Sequence, residues 1–207
     1  MTNFFMRMLY SKCHKYNRHL AYIVSHPSTR RSLIESSEPA KKIIAILFAE
    51  VAGASVDPMF PLCKTVGGGG AYFDVQFCME ALSPHGGAVK NYQDAAAVAV
   101  DLLKANATST SAKIGGLLRG GGGGATAGCL RSCQALYGRI VQRQPGCLAA
   151  VKAGKFEEAK QSLETSASAA KQCEDGFGKS GVESPVTADD DNAFKLAKLA
   201  VALIGFA

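Results

Sequence analysis

Apolar residues recur at helical spacing in four successive stretches of the chain, and no stretch alternates in the manner of a strand. The first stretch spans residues 91–118, where Ala95, Val98, Leu102 and Leu103 share a face and Asp94 and Asp101 point outward. The second runs from about residue 128. It places Cys129, Cys133, Leu136, Ile140 and Cys147 on one side, and Pro145 is expected to kink or interrupt it. In the third, Phe156, Ala159, Leu163, Ala167, Ala170 and Cys173 form the stripe, with Glu157, Glu158, Lys160 and Lys171 facing water. The fourth begins after Ser184-Pro185, with Thr187 or Asp189 as the expected cap. There the acidic run Asp189 to Asp191 suits a helix N-terminus, and Phe194, Ala197, Val201 and Ile204 line one side. Four amphipathic helices of this kind predict an all-α protein built on an antiparallel four-helix bundle.

Two glycine tracts, Gly67–Gly70 and Gly120–Gly124, punctuate these stretches. Neither is followed by Lys-Ser/Thr, so they read as flexible linkers rather than phosphate-binding loops. With no Trp and 8% aromatic residues, the core must be filled by closely packed Ala, Leu and Val, which suits helices.

The net charge of +6 is unevenly placed. Residues 1–54 hold eight Lys/Arg and three Asp/Glu, which leaves residues 55–207 with a net charge of +1. So nearly neutral a body lacks the concentrated basic face that nucleic-acid binding requires. His85 is the only histidine beyond residue 54, and no Cys/His metal spacing is present, so no metal or cofactor is expected. Without a Ser/His/Asp grouping or a carboxylate pair at suggestive spacing, the chain is expected not to be an enzyme.

Residues 41–54, KKIIAILFAEVAGA, have the form of a signal peptide. Lys41 and Lys42 form the basic region, Ile43 to Ala49 the apolar run, and Ala52-Gly53-Ala54 the small-residue cleavage site. The apolar run is too short to span a membrane. Residues 1–40 are basic, Ser-rich and poor in acids, and read as an N-terminal extension ahead of that signal. Residues 55–207 then form the functional domain, with a helical hairpin over 55–88 and the bundle over 89–207. Asn106-Ala107-Thr108 is a glycosylation sequon, in keeping with secretion.

Six of the seven cysteines lie after residue 55, which suggests disulfides and an oxidising compartment. If the chain turns at Ala153-Gly154, Cys133 and Cys173 each lie twenty residues from Ala153. They then stand at matching height on neighbouring antiparallel helices, and a bridge between them is geometrically plausible. A Cys129–Cys173 bridge, one turn away, is the alternative. By the same symmetry Cys129 faces Phe177 and Cys147 faces Ala159, so both are expected to be buried thiols. Cys63 and Cys78 enclose a loop that a bridge would hold as a hairpin.

CQALYGRIV at 133–141, CEDGFGK at 173–179 and SPVTADDDNAFKLAKLAVAL at 184–203 occur in an order and spacing that resemble the plant invertase and pectin methylesterase inhibitor family. The resemblance extends over residues 60–207. It implies a four-helix bundle preceded by a small disulfide-linked helical hairpin, with bridges Cys63–Cys78 and Cys133–Cys173. It further implies a secreted, apoplastic inhibitor that binds pectin methylesterase or acid invertase in a one-to-one complex over the active-site cleft, pectin methylesterase being favoured. Lys155-Phe156 resembles the Pro-Lys-Phe segment of the family's invertase inhibitors, with Gly154 in place of the Pro. These two residues are therefore the candidate partner-binding pair. A plainer reading has Phe156 opening the apolar stripe and Lys155 as a solvated helix-end charge. Departures from the family pattern are the long glycine tracts, Ser132 where Asp is common, and the extra Cys129 and Cys147. A bundle without inhibitory activity and a small-ligand carrier are the competing expectations.

Overall fold

A computed structural model describes residues 57–69, 72–121 and 123–207. The expected extension at 1–40 and signal peptide at 41–54 lie outside the described residues. Among the described residues all regular structure is helical. Two short helices come first, α1 (Met59–Gly67) and α2 (Val75–Leu82), followed by a 3-10 turn at Ser83–Ala88. Four long helices follow: α3 (Tyr92–Arg119), α4 (Gly124–Lys152), α5 (Phe156–Lys179) and α6 (Thr187–Ile204).

The long helices form a closed ring in which α3 packs on α4, α4 on α5, α5 on α6, and α6 back on α3. Short connections force each to run against its predecessor. The ring closes tightly because small residues line the facing surfaces. Ala95, Ala99 and Ala107 of α3, Ala159, Ala167 and Ala170 of α5, and Ala193, Ala197 and Ala200 of α6 are all buried. Larger side chains fill the space between them, notably Leu103, Ile114, Tyr137, Ile140, Leu163 and Phe177. This interleaving of large and small side chains is what lets helices approach at native density.

The helix ends are specified locally. Asn91 accepts a hydrogen bond from the Asp94 amide at 2.8 Å, while the Asp94 carboxylate accepts from the Lys90 amide at 3.1 Å, which together cap α3. Asp74 caps α2 by accepting from the Phe77 amide at 2.8 Å. After α4, Gly154 adopts φ +71°, and the Lys155 amide donates back to the Ala150 carbonyl at 2.9 Å. Gly181 does the same after α5, at φ +64°. A left-handed residue reverses the chain in so few positions only if it lacks Cβ.

α4 does not break at Pro145. It continues from Gly124 to Lys152. Pro145 sits on the exposed side of the helix, so its ring projects into solvent rather than into the core. Its neighbour Gln144 is buried and holds the turn, donating through Nε2 to the Ile140 carbonyl and to Ser166 Oγ of α5, both at 3.1 Å. α6 also differs from expectation at its start. Neither Thr187 nor Asp189 is its cap: the position falls to Val186, without a side-chain hydrogen bond. Thr187 Oγ1 is engaged with Glu174 instead.

Two disulfides tie the elements. Cys63 and Cys78 join α1 to α2 with Cα atoms 5.5 Å apart, and Cys133 and Cys173 join α4 to α5 at 4.9 Å. Cys129 therefore does not take Cys173. Cys129 and Cys147 carry free thiols, both buried. Cys129 Sγ lies 3.4 Å from the Gly176 carbonyl, and Cys147 Sγ lies 3.7 Å from that of Ala159. The α1–α2 hairpin rests on the bundle through aromatic contacts. The Tyr72 ring meets Phe194 edge-on at 5.5 Å, and Lys198 Nζ stands 4.6 Å from the centre of the Tyr72 ring.

Candidate functional site

The α4–α5 turn carries the pair Lys155 and Phe156. Its lower side is fixed from α3, where Gln93 Nε2 donates to the Val151 carbonyl at 2.8 Å. Lys155 is the first residue past the reversal and presents its ammonium to solvent, with 62% of its side chain exposed. Glu158 is 3.6 Å from that ammonium and, with Glu157, suits the positive end of α5. Phe156 is half-buried and packs against the bundle core. The turn therefore offers one cationic hydrogen-bond donor on a well-anchored reversal, a group suited to a carboxylate partner. Its backbone differs from that of a Pro-Lys-Phe turn. Proline is held near φ −65°, whereas Gly154 stands at +71°.

A polar cluster missed at the level of sequence lies inside the bundle. Asp190 is only 3% exposed, and Oδ1 accepts from the hydroxyl of the fully buried Tyr137 at 2.6 Å. Glu174 of α5 accepts from Thr187 Oγ1 at 2.9 Å. At the rim, Lys113 of α3 pairs with Asp189 at 2.7 Å, and Lys195 pairs with Asp191 at 2.7 Å. Burial, together with the neighbouring carboxylates Glu174 and Asp189, pushes the Asp190 carboxyl up to about 7 against the pull of the Tyr137 hydroxyl. Burial also pushes the Tyr137 phenol far above its usual range. The run Asp189 to Asp191 is thus not a uniform charge cluster, because its middle member turns inward. A signal for this exists in the sequence. Asp190, Ala193, Ala197 and Ala200 continue one core stripe, as do Cys133, Tyr137, Ile140 and Gln144.

Asp190 is enclosed by helices and cannot meet a substrate, while Asp189 and Asp191 at the rim are held in ion pairs with Lys113 and Lys195. Among the described residues no three His, Cys, Asp or Glu side chains are placed to hold a metal ion, and His85 stands on the exposed 3-10 turn. No helix among them is long and apolar enough to cross a membrane.

Two open grooves mark the surface. One, of about 550 Å³, runs between α2, α3 and α6 and is lined by Phe77, Leu102, Asn106, Ser109, Asp189 and Asn192. Asn106, the sequon residue, is half-buried in its wall, on a continuous helix. The other, of about 440 Å³, lies between α4 and α5 beside Ser132, Arg139, Gln172, Asp175 and Lys179.

Comparison with known proteins follows the same lines. The family model described as plant invertase/pectin methylesterase inhibitor matches residues 62–203, a span that reaches from α1 into α6. Among solved structures, a mutant form of a pectin methylesterase inhibitor from Arabidopsis superposes with a TM-score of 0.58 at 21% identity, covering 63% of this chain and 88% of that one. A pectin methylesterase inhibitor from Arabidopsis thaliana superposes with a TM-score of 0.54 at 20% identity, covering 73% and 96%. At these identities the likeness is one of fold. No curated protein sequence matches the chain. The family model, however, takes in well over half of the chain and the cysteines of both disulfides, and the chain belongs to the plant invertase/pectin methylesterase inhibitor family.

Proposed function

We propose that this protein is a secreted inhibitor of pectin methylesterase that acts in the apoplast, forming a one-to-one complex that covers the enzyme's active-site cleft, and that it has no catalytic activity of its own. The observation that carries the reading is the family match along the disulfide-tied bundle. A body of this kind suits inhibition by occlusion. Its helices are already ordered, so little conformational entropy is lost when a face is laid over a cleft. A cationic donor such as Lys155 is complementary to the carboxylates expected in the target's site.

Invertase is the second reading, and Lys155-Phe156 is what favours it. The left-handed Gly154 weighs the other way. It sets Lys155 on a reversal that a Pro-Lys-Phe segment cannot share, and Phe156 is committed in part to the core. Pectin methylesterase is therefore the preferred target.

Mixing the purified protein with each enzyme at mildly acidic pH tests the proposal. Pectin methylesterase activity is expected to fall, with invertase little affected. Loss of invertase activity alone, abolished by Lys155→Ala, would transfer the assignment to the second reading. Loss of neither activity would overturn both.

A further inference from the structure

The carboxyl of Asp190, buried on α6, lies beside that of the half-buried Glu174 on α5, within hydrogen-bonding reach. Each uses one oxygen conventionally: Asp190 Oδ1 accepts from Tyr137, and Glu174 Oε1 accepts from Thr187. The other two oxygens, Asp190 Oδ2 and Glu174 Oε2, are buried, and no donor among the described residues reaches either. Asp190 is 3% exposed, and ionising it with Oδ2 unpaired beside a second carboxylate oxygen is costly. The arrangement is satisfied when Asp190 is protonated and donates to Glu174 Oε2.

We propose that Asp190 keeps its proton in the folded protein and donates it to Glu174 Oε2, and that this hydrogen bond is a latch holding the start of α6 to α5, closed in acid and released as pH rises. Every group facing the pair agrees with this. Tyr137 of α4 is neutral and donates to Asp190; α3 contributes the Thr110 hydroxyl, beside Tyr137. Asp189 adds a further negative charge and is only partly offset by Lys113, whose ammonium is exposed. His85 faces Asp189 across the outer groove rather than the buried pair. Among the described residues no Lys, Arg or His side chain forms an ion pair with Asp190 or Glu174. The N-terminus of α6 favours an ionised Asp190, but that influence is weaker than burial beside two other carboxylates.

The sign is fixed by the direction of the shift. A carboxyl whose folded value is raised from 3.8 to about 7 binds its proton more tightly folded than unfolded. Its stabilising contribution is full below the unfolded value, declines as pH climbs, and is gone above the folded value.

The test compares the full chain with Asp190→Asn. The asparagine amide can donate permanently to Glu174 Oε2 while its oxygen still accepts from Tyr137, so the variant keeps the cluster without needing the proton. Between pH 5 and pH 8 the melting temperature of the unsubstituted protein is expected to fall by about 5 °C more than that of the variant. Infrared spectra of the folded protein at pH 6 are expected to show a protonated-carboxyl band that is lost in Asp190→Asn and in Glu174→Gln but kept in Asp189→Asn. Equal pH dependence in the two proteins would overturn the proposal, as would absence of that band. A melting temperature raised by calcium chloride at pH 8 in the unsubstituted protein alone would also overturn it, in favour of a bound cation.

Discussion

Replacing both members of the Cys133–Cys173 bridge with alanine is a severe test of the architecture. The bridge closes a loop with a sequence separation of 40, which contains the end of α4, the Gly154 turn and most of α5. Opening it restores conformational freedom to the unfolded chain, and the loop-entropy relation puts the cost at about 4 kcal/mol. Both sulfurs are buried, so the lost contacts add about 1 kcal/mol more. The Cys63–Cys78 loop, with a separation of 15, gives about 3 kcal/mol by the same relation. For a domain with 5–15 kcal/mol of total stability, roughly the usual range, the first loss is a large share of the whole. Urea unfolding at pH 5, followed by far-UV circular dichroism, measures it. With a slope of about 2 kcal/mol/M, the midpoint is expected to drop by about 2 M. The slope itself is expected to rise, because the uncrosslinked chain unfolds into a more expanded state. Cys147→Ala serves as the control, since it removes a buried thiol without opening a loop and leaves the slope unchanged. A midpoint within about 0.5 M of the parent, with the same slope, would refute the reasoning that this bridge constrains the unfolded chain.

Other consequences follow from single residues. Tyr137→Phe removes the donor to Asp190 Oδ1 and is expected to cost about 2 kcal/mol at pH 8. It should also move the midpoint of the pH dependence upward, because the phenol stabilises the ionised carboxyl; an unmoved midpoint in a pH series of melts would contradict this. Gly154→Ala places a Cβ in open space but at a left-handed backbone angle. It should therefore destabilise by about 1 kcal/mol, with the helical content unchanged; calorimetry showing no loss would remove the conformational argument for that glycine.

The bundle was legible in the sequence because its helices are long and each carries a continuous apolar stripe. The stripe of α5, from Ala159 through Leu163, Ala167 and Ala170 to Cys173, is buried throughout. The turn was legible for a related reason. Gly154 follows Ala153, the midpoint between two cysteines of equal depth, and the left-handed conformation there is one that glycine adopts without strain. Three features were not legible, each for a physical cause. Pro145 reads as a breaker from its residue type, but it stands opposite the buried stripe of α4, on the exposed side of a helix that continues to Lys152. The centre of the α6 stripe lies on Ala193, Leu196, Ala197, Ala200 and Leu203, with Phe194 and Val201 half-buried at its margin, where Phe194 meets Tyr72. Asp190 was read by its chemistry rather than its register. Three successive aspartates suggest a solvated helix start, whereas the stripe they interrupt requires the middle one to be inside. What sequence could supply for Lys155 and Phe156 was a resemblance, and their placement on an anchored reversal gives that resemblance a geometry to be tested.

The most direct measurement for the account as a whole is a titration of a fixed amount of pectin methylesterase with this protein at pH 5, read by residual activity and by the mass of the complex on a sizing column. Activity is expected to fall linearly and reach its floor at one equivalent, with both chains in a single one-to-one peak. Full activity at a several-fold excess, with the two proteins eluting apart, would contradict it.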